Sequence, residues 1–251
     1  MRRVFWAGVL LAVPAQAVPL ASDLSRFRAC SQVARTSPER GIAVANGWRI
    51  EGGGAAARHC LALAQFQKGD HDAALTSFEA AATLAGSGQD GAETARALWT
   101  AGANAALLAE KPEPALRFAL AGLELEPAPA EAAALQLLRA EALVDLKRES
   151  EGMAALDAAL GLDPAVPGGW LLKATLARRL GNFAAAEAAV LEAGRRTAPE
   201  SEAAFDVQFE AGAIAWAQGK KDLARAAWTA AASGDPEWPA VKAAEAALKL
   251  D

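Results

Sequence analysis

Residues 166–199 read VPGGWLLKATLARRLGNFAAAEAAVLEAGRRTAP, and their spacing decides the fold. Nine of these 34 residues are alanine, the strongest helix former. Two apolar helical runs are separated by Arg179-Leu180-Gly181-Asn182, where a glycine suits the left-handed end of a helix and an asparagine suits the start of the next. With Pro167 as position 1 of a 34-residue unit, Trp170 stands at 4, Ala174 at 8, Gly181 at 15, Phe183 at 17, Ala186 at 20 and Ala193 at 27.

The same landmarks recur. Unit 133–166 abuts the first and has Ala140 at 8, Leu156 at 24, Ala159 at 27 and Pro164 at 32. Unit 96–129 has Trp99, Ala103, Ala115, Gly122 and Pro127 at 4, 8, 20, 27 and 32. Unit 55–88 has Ala62, Gly69, His71, Ala74, Phe78 and Ala81 at 8, 15, 17, 20, 24 and 27. Unit 205–238 has Gly212, Gly219, Ala224, Trp228, Ala231 and Pro236 at 8, 15, 20, 24, 27 and 32. Small residues at 8, 20 and 27 let paired helices approach closely, and larger ones at 4, 7, 11, 17 and 24 fill the rest. Departures fall on Gly152, which replaces alanine at 20, and on Glu110 and Lys147, which replace the turn glycine. Less regular turns are expected at those two.

This pattern resembles the tetratricopeptide repeat. The resemblance covers residues 55–238 and implies an all-α fold, a right-handed superhelix of stacked helical hairpins in which each unit leaves an apolar face for its neighbour. Residues 18–54 read as one further helical hairpin ending in the joint Glu51-Gly-Gly-Gly54, with Ser37 as the N-cap of its second helix; residues 239–251 read as a capping helix.

Composition narrows the function. The chain has 251 residues, 53% of them hydrophobic, no tyrosine and a formal net charge of −5. That acidic balance argues against nucleic acid as a partner. Residues 1–17 have Arg2 and Arg3, an apolar run from Val4 to Val13, and the ending Ala15-Gln16-Ala17. This is the layout of a cleaved export signal with Val18 as the new N-terminus, and it places the protein in the periplasm or outside the cell. The competing reading is a single membrane anchor, but the run is about half the ~20 residues needed to span a bilayer.

Cys30 and Cys60 are the only cysteines. In an oxidising compartment an even pair favours a disulfide over two buried thiols. Both lie on first helices of consecutive hairpins, which the stacked array makes neighbours.

Chemistry is sparse. Glu51–Gly54 lacks the Lys-Ser/Thr of a phosphate loop, His59 and His71 have no convergent ligand set, and no serine has a nucleophile-elbow context. The sequence therefore implies no catalysis, no metal and no cofactor. What the resemblance does imply is a binding surface at positions 2, 5, 9, 12 and 13 of successive first helices, where 5, 9 and 12 give His59, Leu63 and Phe66; Thr100, Asn104 and Leu107; Leu137, Glu141 and Val144; Leu171, Thr175 and Arg178; Phe209, Ala213 and Trp216. The expected partner is a protein or peptide segment, with a small apolar ligand held in the same groove as the alternative. The lysine and asparagine clamp that chaperone-binding relatives use is missing, since only Asn104 fits it.

Overall fold

A computed structural model describes residues 20–249, with 89 and 167 excepted. The signal-like segment and the expected terminus at Val18 lie outside the described residues. Among these there are thirteen α-helices and no strand. An N-terminal hairpin, α1 (Leu20–Thr36) and α2 (Pro38–Ile50), precedes five repeat hairpins. These are α3 (Gly54–Lys68) with α4 (His71–Ser87), α5 (Gly91–Leu108) with α6 (Pro112–Leu123), α7 (Pro129–Asp145) with α8 (Glu149–Leu162), α9 (Gly169–Arg179) with α10 (Phe183–Arg196), and α11 (Glu202–Ala217) with α12 (Lys221–Ala231). A last helix, α13 (Pro239–Ala247), packs on α11 and α12. The result is a solenoid.

The small positions explain the packing. Alanines and glycines at 8, 20 and 27 of all five units are buried, Gly152 included. At position 24 between them stand Phe78, Ala119, Leu156, Val190 and Trp228, each also buried. Gly212 shows why size matters: a Cβ there would lie 2.4 Å from the Trp228 indole. A side chain at 212 would displace that ring and open the last unit.

The turn at position 15 has one geometry irrespective of residue. Gly69, Gly181 and Gly219 have φ of 88°, 74° and 74°, and Glu110 and Lys147 take φ of 56° and 62° in the same left-handed region. The two turns expected to be less regular are therefore regular. Glu and Lys are disfavoured there by Cβ contacts, by about 1 kcal/mol each, and the helix pairs on either side impose the conformation.

Helix starts are set by local chemistry. Asn182 accepts a hydrogen bond from the Ala185 amide at 3.2 Å, and Ser201 accepts one from Ala204 at 3.3 Å. Ser37 sits at the N-cap of α2 without accepting such a bond; Pro38, which has no amide hydrogen to satisfy, starts that helix instead. The glycine run is a short turn: Gly53 lies against the Trp48 ring and Gly54 opens α3.

Candidate functional site

First helices carry the candidate surface, and they touch one another directly: α1 meets α3, α5 meets α7, and α9 meets α11. Position by position, apolar side chains recur in every unit, with polar or ionisable ones between them at His59, Thr100, Asn104, Glu141, Thr175 and Arg178.

In the first unit His59 is enclosed by rings. Its imidazole centroid is 4.7 Å from Phe27 of α1 and 5.6 Å from Phe78 of α4. Burial among these apolar groups lowers its pKa to about 4, so the ring is neutral near pH 7. Phe66 stacks on His71 at 4.9 Å, which gives position 17 its packing role. Leu63, Phe66 and Leu107 are partly buried and lean on the core between the first two units. Thr100 donates from its hydroxyl to the Arg96 carbonyl at 2.9 Å, and the Asn104 amide, exposed, donates to the Thr100 carbonyl at 3.0 Å.

Further along, Leu137 leans on the third unit's core, and Val144 is buried beside Gly152. Burial raises the pKa of Glu141, and the neighbouring Asp145 carboxylate raises it further. Leu171 and Thr175 are half-buried on α9, and so are Phe209 and Ala213 on α11. Trp216 lies 5.4 Å from Trp228, with the Lys221 ammonium 5.2 Å above its ring. Arg178 is engaged within the fold: its Nε donates to Glu210 Oε1 at 2.7 Å and its Nη2 to Oε2 at 3.3 Å. Glu210 is 5% exposed. The pair therefore fixes α9 to α11 and leaves Arg178 little capacity for a ligand.

Two features escaped the sequence, Glu210 and the open side of Trp170, while Leu108 follows from the register of the expected surface. Glu210, at position 6, is 32 residues from its partner, and no local pattern marks it. Leu108, at position 13, is the most open aliphatic on this face at 75% exposure; it ends α5 beside a polar-looking turn. Trp170 is assigned to the core by spacing, yet one side of it borders a crevice of about 200 Å³ with Val166, Leu171, Ala193, Arg196 and Val207. Its indole N–H donates to the Pro164 carbonyl at 2.8 Å, and the Arg196 guanidinium lies 5.2 Å from the ring.

Cys30 and Cys60 form a disulfide with Cα atoms 6.1 Å apart, joining α1 to α3. Among the described residues no three His, Cys, Asp or Glu side chains are grouped to hold a metal ion. No helix there is long and apolar enough to cross a membrane.

Comparison with known proteins agrees with this architecture. The family model of the tetratricopeptide repeat matches residues 55–87, the α3–α4 hairpin. That hairpin is a tetratricopeptide repeat. No curated protein matches the sequence. Among solved structures, the chain is similar to PilW, a widely conserved type IV pilus biogenesis factor, at TM-score 0.66 and 14% identity over 90% of this chain and 99% of that one. It is also similar to the pilF product of Pseudomonas aeruginosa, at TM-score 0.63 and 13% identity over 90% and 99%. A third similar structure is YrrB, a tetratricopeptide-repeat protein with an unusual peptide-binding site, at TM-score 0.55 and 15% identity over 80% and 96%. Such identities speak to the fold. Tetratricopeptide repeats as a class serve as protein-interaction scaffolds, generally without catalysis.

Proposed function

We propose that this protein is a non-catalytic, exported scaffold whose first-helix surface takes an extended or helical segment of a partner protein during cell-envelope assembly. One observation carries the reading: the surface keeps aliphatic and aromatic side chains partly open in every unit, from Leu63 and Phe66 through Leu108 and Leu171 to Trp216. Such a row of anchors suits a segment presenting apolar side chains at intervals. The likeness in fold to a type IV pilus biogenesis factor supports an envelope role, and the buried disulfide is consistent with export. A small apolar ligand finds less support. The Trp170 crevice, at about 200 Å³, is smaller than the ~300 Å³ at which small-molecule sites begin.

Photo-crosslinking in the exporting cell tests this reading. A crosslinker at Leu108 should capture a defined protein segment, whereas one at Leu191, 62% exposed at the outward position 25 of the fourth unit, should not. Titrated with the captured segment, Trp216→Ala and Leu108→Glu should weaken binding on the order of tenfold while helicity is kept. Equal capture from both positions, or unaltered affinity in both variants, would rule out the first-helix surface as the binding site.

A further inference from the structure

Charge on the first-helix surface is paired unevenly. Besides His59, positions 2, 5, 9, 12 and 13 of the five units include five ionisable residues: Glu141, Asp145, Arg178, Arg179 and Asp206. Both cations are engaged within the fold, Arg178 by Glu210 and Arg179 by Glu149. The three acids have no hydrogen bond or ion pair among the described residues. All the unpaired charge at these positions is therefore negative.

Helix α7 carries two of them. At about 100° per residue, Leu137, Glu141 and Asp145 follow one another at i, i+4 and i+8 along one stripe. Glu141 is half-buried and Asp145 exposed. Arg139 falls on the opposite side of the helix and bonds Gln136, Arg148 is held by Glu151, and Lys147 is exposed in the turn beyond the helix end. On α5, which meets α7, the matching positions are Ala97, Thr100, Asn104, Leu107 and Leu108, none of them a cation. Leu108 and Asp145 share position 13 in consecutive units, so an open aliphatic side chain stands one rung from an open carboxylate. Glu141 is partly withdrawn from water beside a second carboxylate, and both circumstances raise its pKa. An ammonium or guanidinium group brought from outside offsets that cost.

We propose that the partner segment on the first-helix surface is basic as well as apolar, with a lysine or arginine set against Glu141 and Asp145 and aliphatic side chains on Leu137 and Leu108. The inference rests on that surface being the binding site, and it adds the charge of the occupant. Complementary charge selects among partners chiefly by penalising the wrong sign. An acidic segment would meet three unpaired carboxylates and no free cation at these positions. A small apolar ligand would leave Glu141 without a counter-charge. A metal ion fits less well than a cationic side chain, because no third acid, His or Cys joins the two carboxylates. Asp206, half-buried on α11, offers a second seat for a cation farther along the segment.

The test titrates the protein, as recovered from the exporting cell, into dye-labelled peptides of one length that alternate leucine with lysine, with glutamine or with glutamate. The lysine peptide should bind on the order of tenfold more tightly than the glutamine peptide, and the glutamate peptide most weakly. Rising salt should narrow the difference. Glu141→Gln with Asp145→Asn should remove the lysine preference and leave the glutamine peptide's affinity unchanged. Because Glu141→Gln replaces a poorly solvated charge by a neutral group of the same shape, this variant should keep or raise the melting temperature. Two neutralisations elsewhere, Glu124→Gln with Glu245→Gln, should leave the preference intact. A lysine preference that survives in the Glu141 and Asp145 variant, or that falls equally in the control, overturns the proposal. If the peptides bind without regard to charge while Trp216→Ala weakens all three, the first-helix surface stands as the binding site and this proposal alone fails. Binding of none of the three counts against both.

Discussion

At the amino-terminal end α1 is tied to α3 by Cys30–Cys60, and toward the other end α9 is tied to α11 by Arg178 and Glu210. Both ties join first helices of consecutive hairpins, but their physical origins differ. The disulfide acts largely on the unfolded chain, whose freedom it restricts, and both cysteines are buried in an otherwise apolar cluster with Ala34, Ala45 and Trp48. The ion pair acts in the folded state, where its attraction must offset the desolvation of Glu210, with Arg178 still 25% exposed along its side chain. A covalent tie tolerates a short terminal hairpin that would fray, whereas an ionic one sets the angle between two units already held by packing around Ile214 and Val190.

The largest effect should come from opening the covalent tie. Cys60→Ala, or reduction, is expected to cost about 3.5 kcal/mol for a closed loop of 30 residues. Urea unfolding with and without reductant measures it, and a loss under about 1 kcal/mol would mean that apolar packing alone holds α1. Next comes the ionic tie. Arg178→Met leaves Glu210 buried without its partner and should cost about 3 kcal/mol. Adding Glu210→Leu should restore most of that loss, because two apolar residues of similar volume remove the stranded charge. If the double variant is no more stable than the single one, the pair contributes net stability of its own.

Acid should separate the two ends further. His59 belongs to the disulfide end, and its pKa is lowered from 6.5 to about 4 by burial. The folded state therefore resists protonation that the unfolded chain accepts. Stability from this group is complete above pH 6.5, declines as the pH falls to about 4, and levels off below that; the loss should be about 3 kcal/mol. Glu141 and Asp206, whose pKa values burial raises, contribute with the opposite sign, and they cancel when the parent is compared with His59→Leu. Unfolding midpoints of the two proteins at several pH values should converge in acid; parallel lines would show that His59 is solvated. The smallest effect is at a turn between these regions. Lys147→Gly relieves a left-handed lysine and should stabilise by about 1 kcal/mol or less, read as a small rise in melting temperature.

How far the sequence could anticipate these features depends on distance along the chain. The alanines at 8, 20 and 27 were legible because their requirement repeats locally every 34 residues. The disulfide was legible because only two cysteines exist and repeat stacking sets their helices side by side. Glu210 was not, because a buried carboxylate is indistinguishable in sequence from a solvated one until its partner 32 residues away is placed. The turns at Glu110 and Lys147 were misjudged for a different reason: backbone preference disfavours them locally, and the packing of whole helices overrides it. Val144 had the right register for the binding surface but is buried, because unit-three residues around Gly152 leave room for it.

The position of the disulfide also governs how the solenoid behaves as a spring. Tension applied across its ends would peel hairpins from the carboxyl-terminal side, where no covalent link interrupts the chain, and each would release its full contour. At the other end extension stops at Cys30. The roughly 30 residues enclosed by the bridge stay out of the extended length, which shortens the fully drawn chain by about 100 Å at ~3.4 Å per residue. A partner pulling on this protein would thus meet a yielding arm and a stiff anchor, in that order.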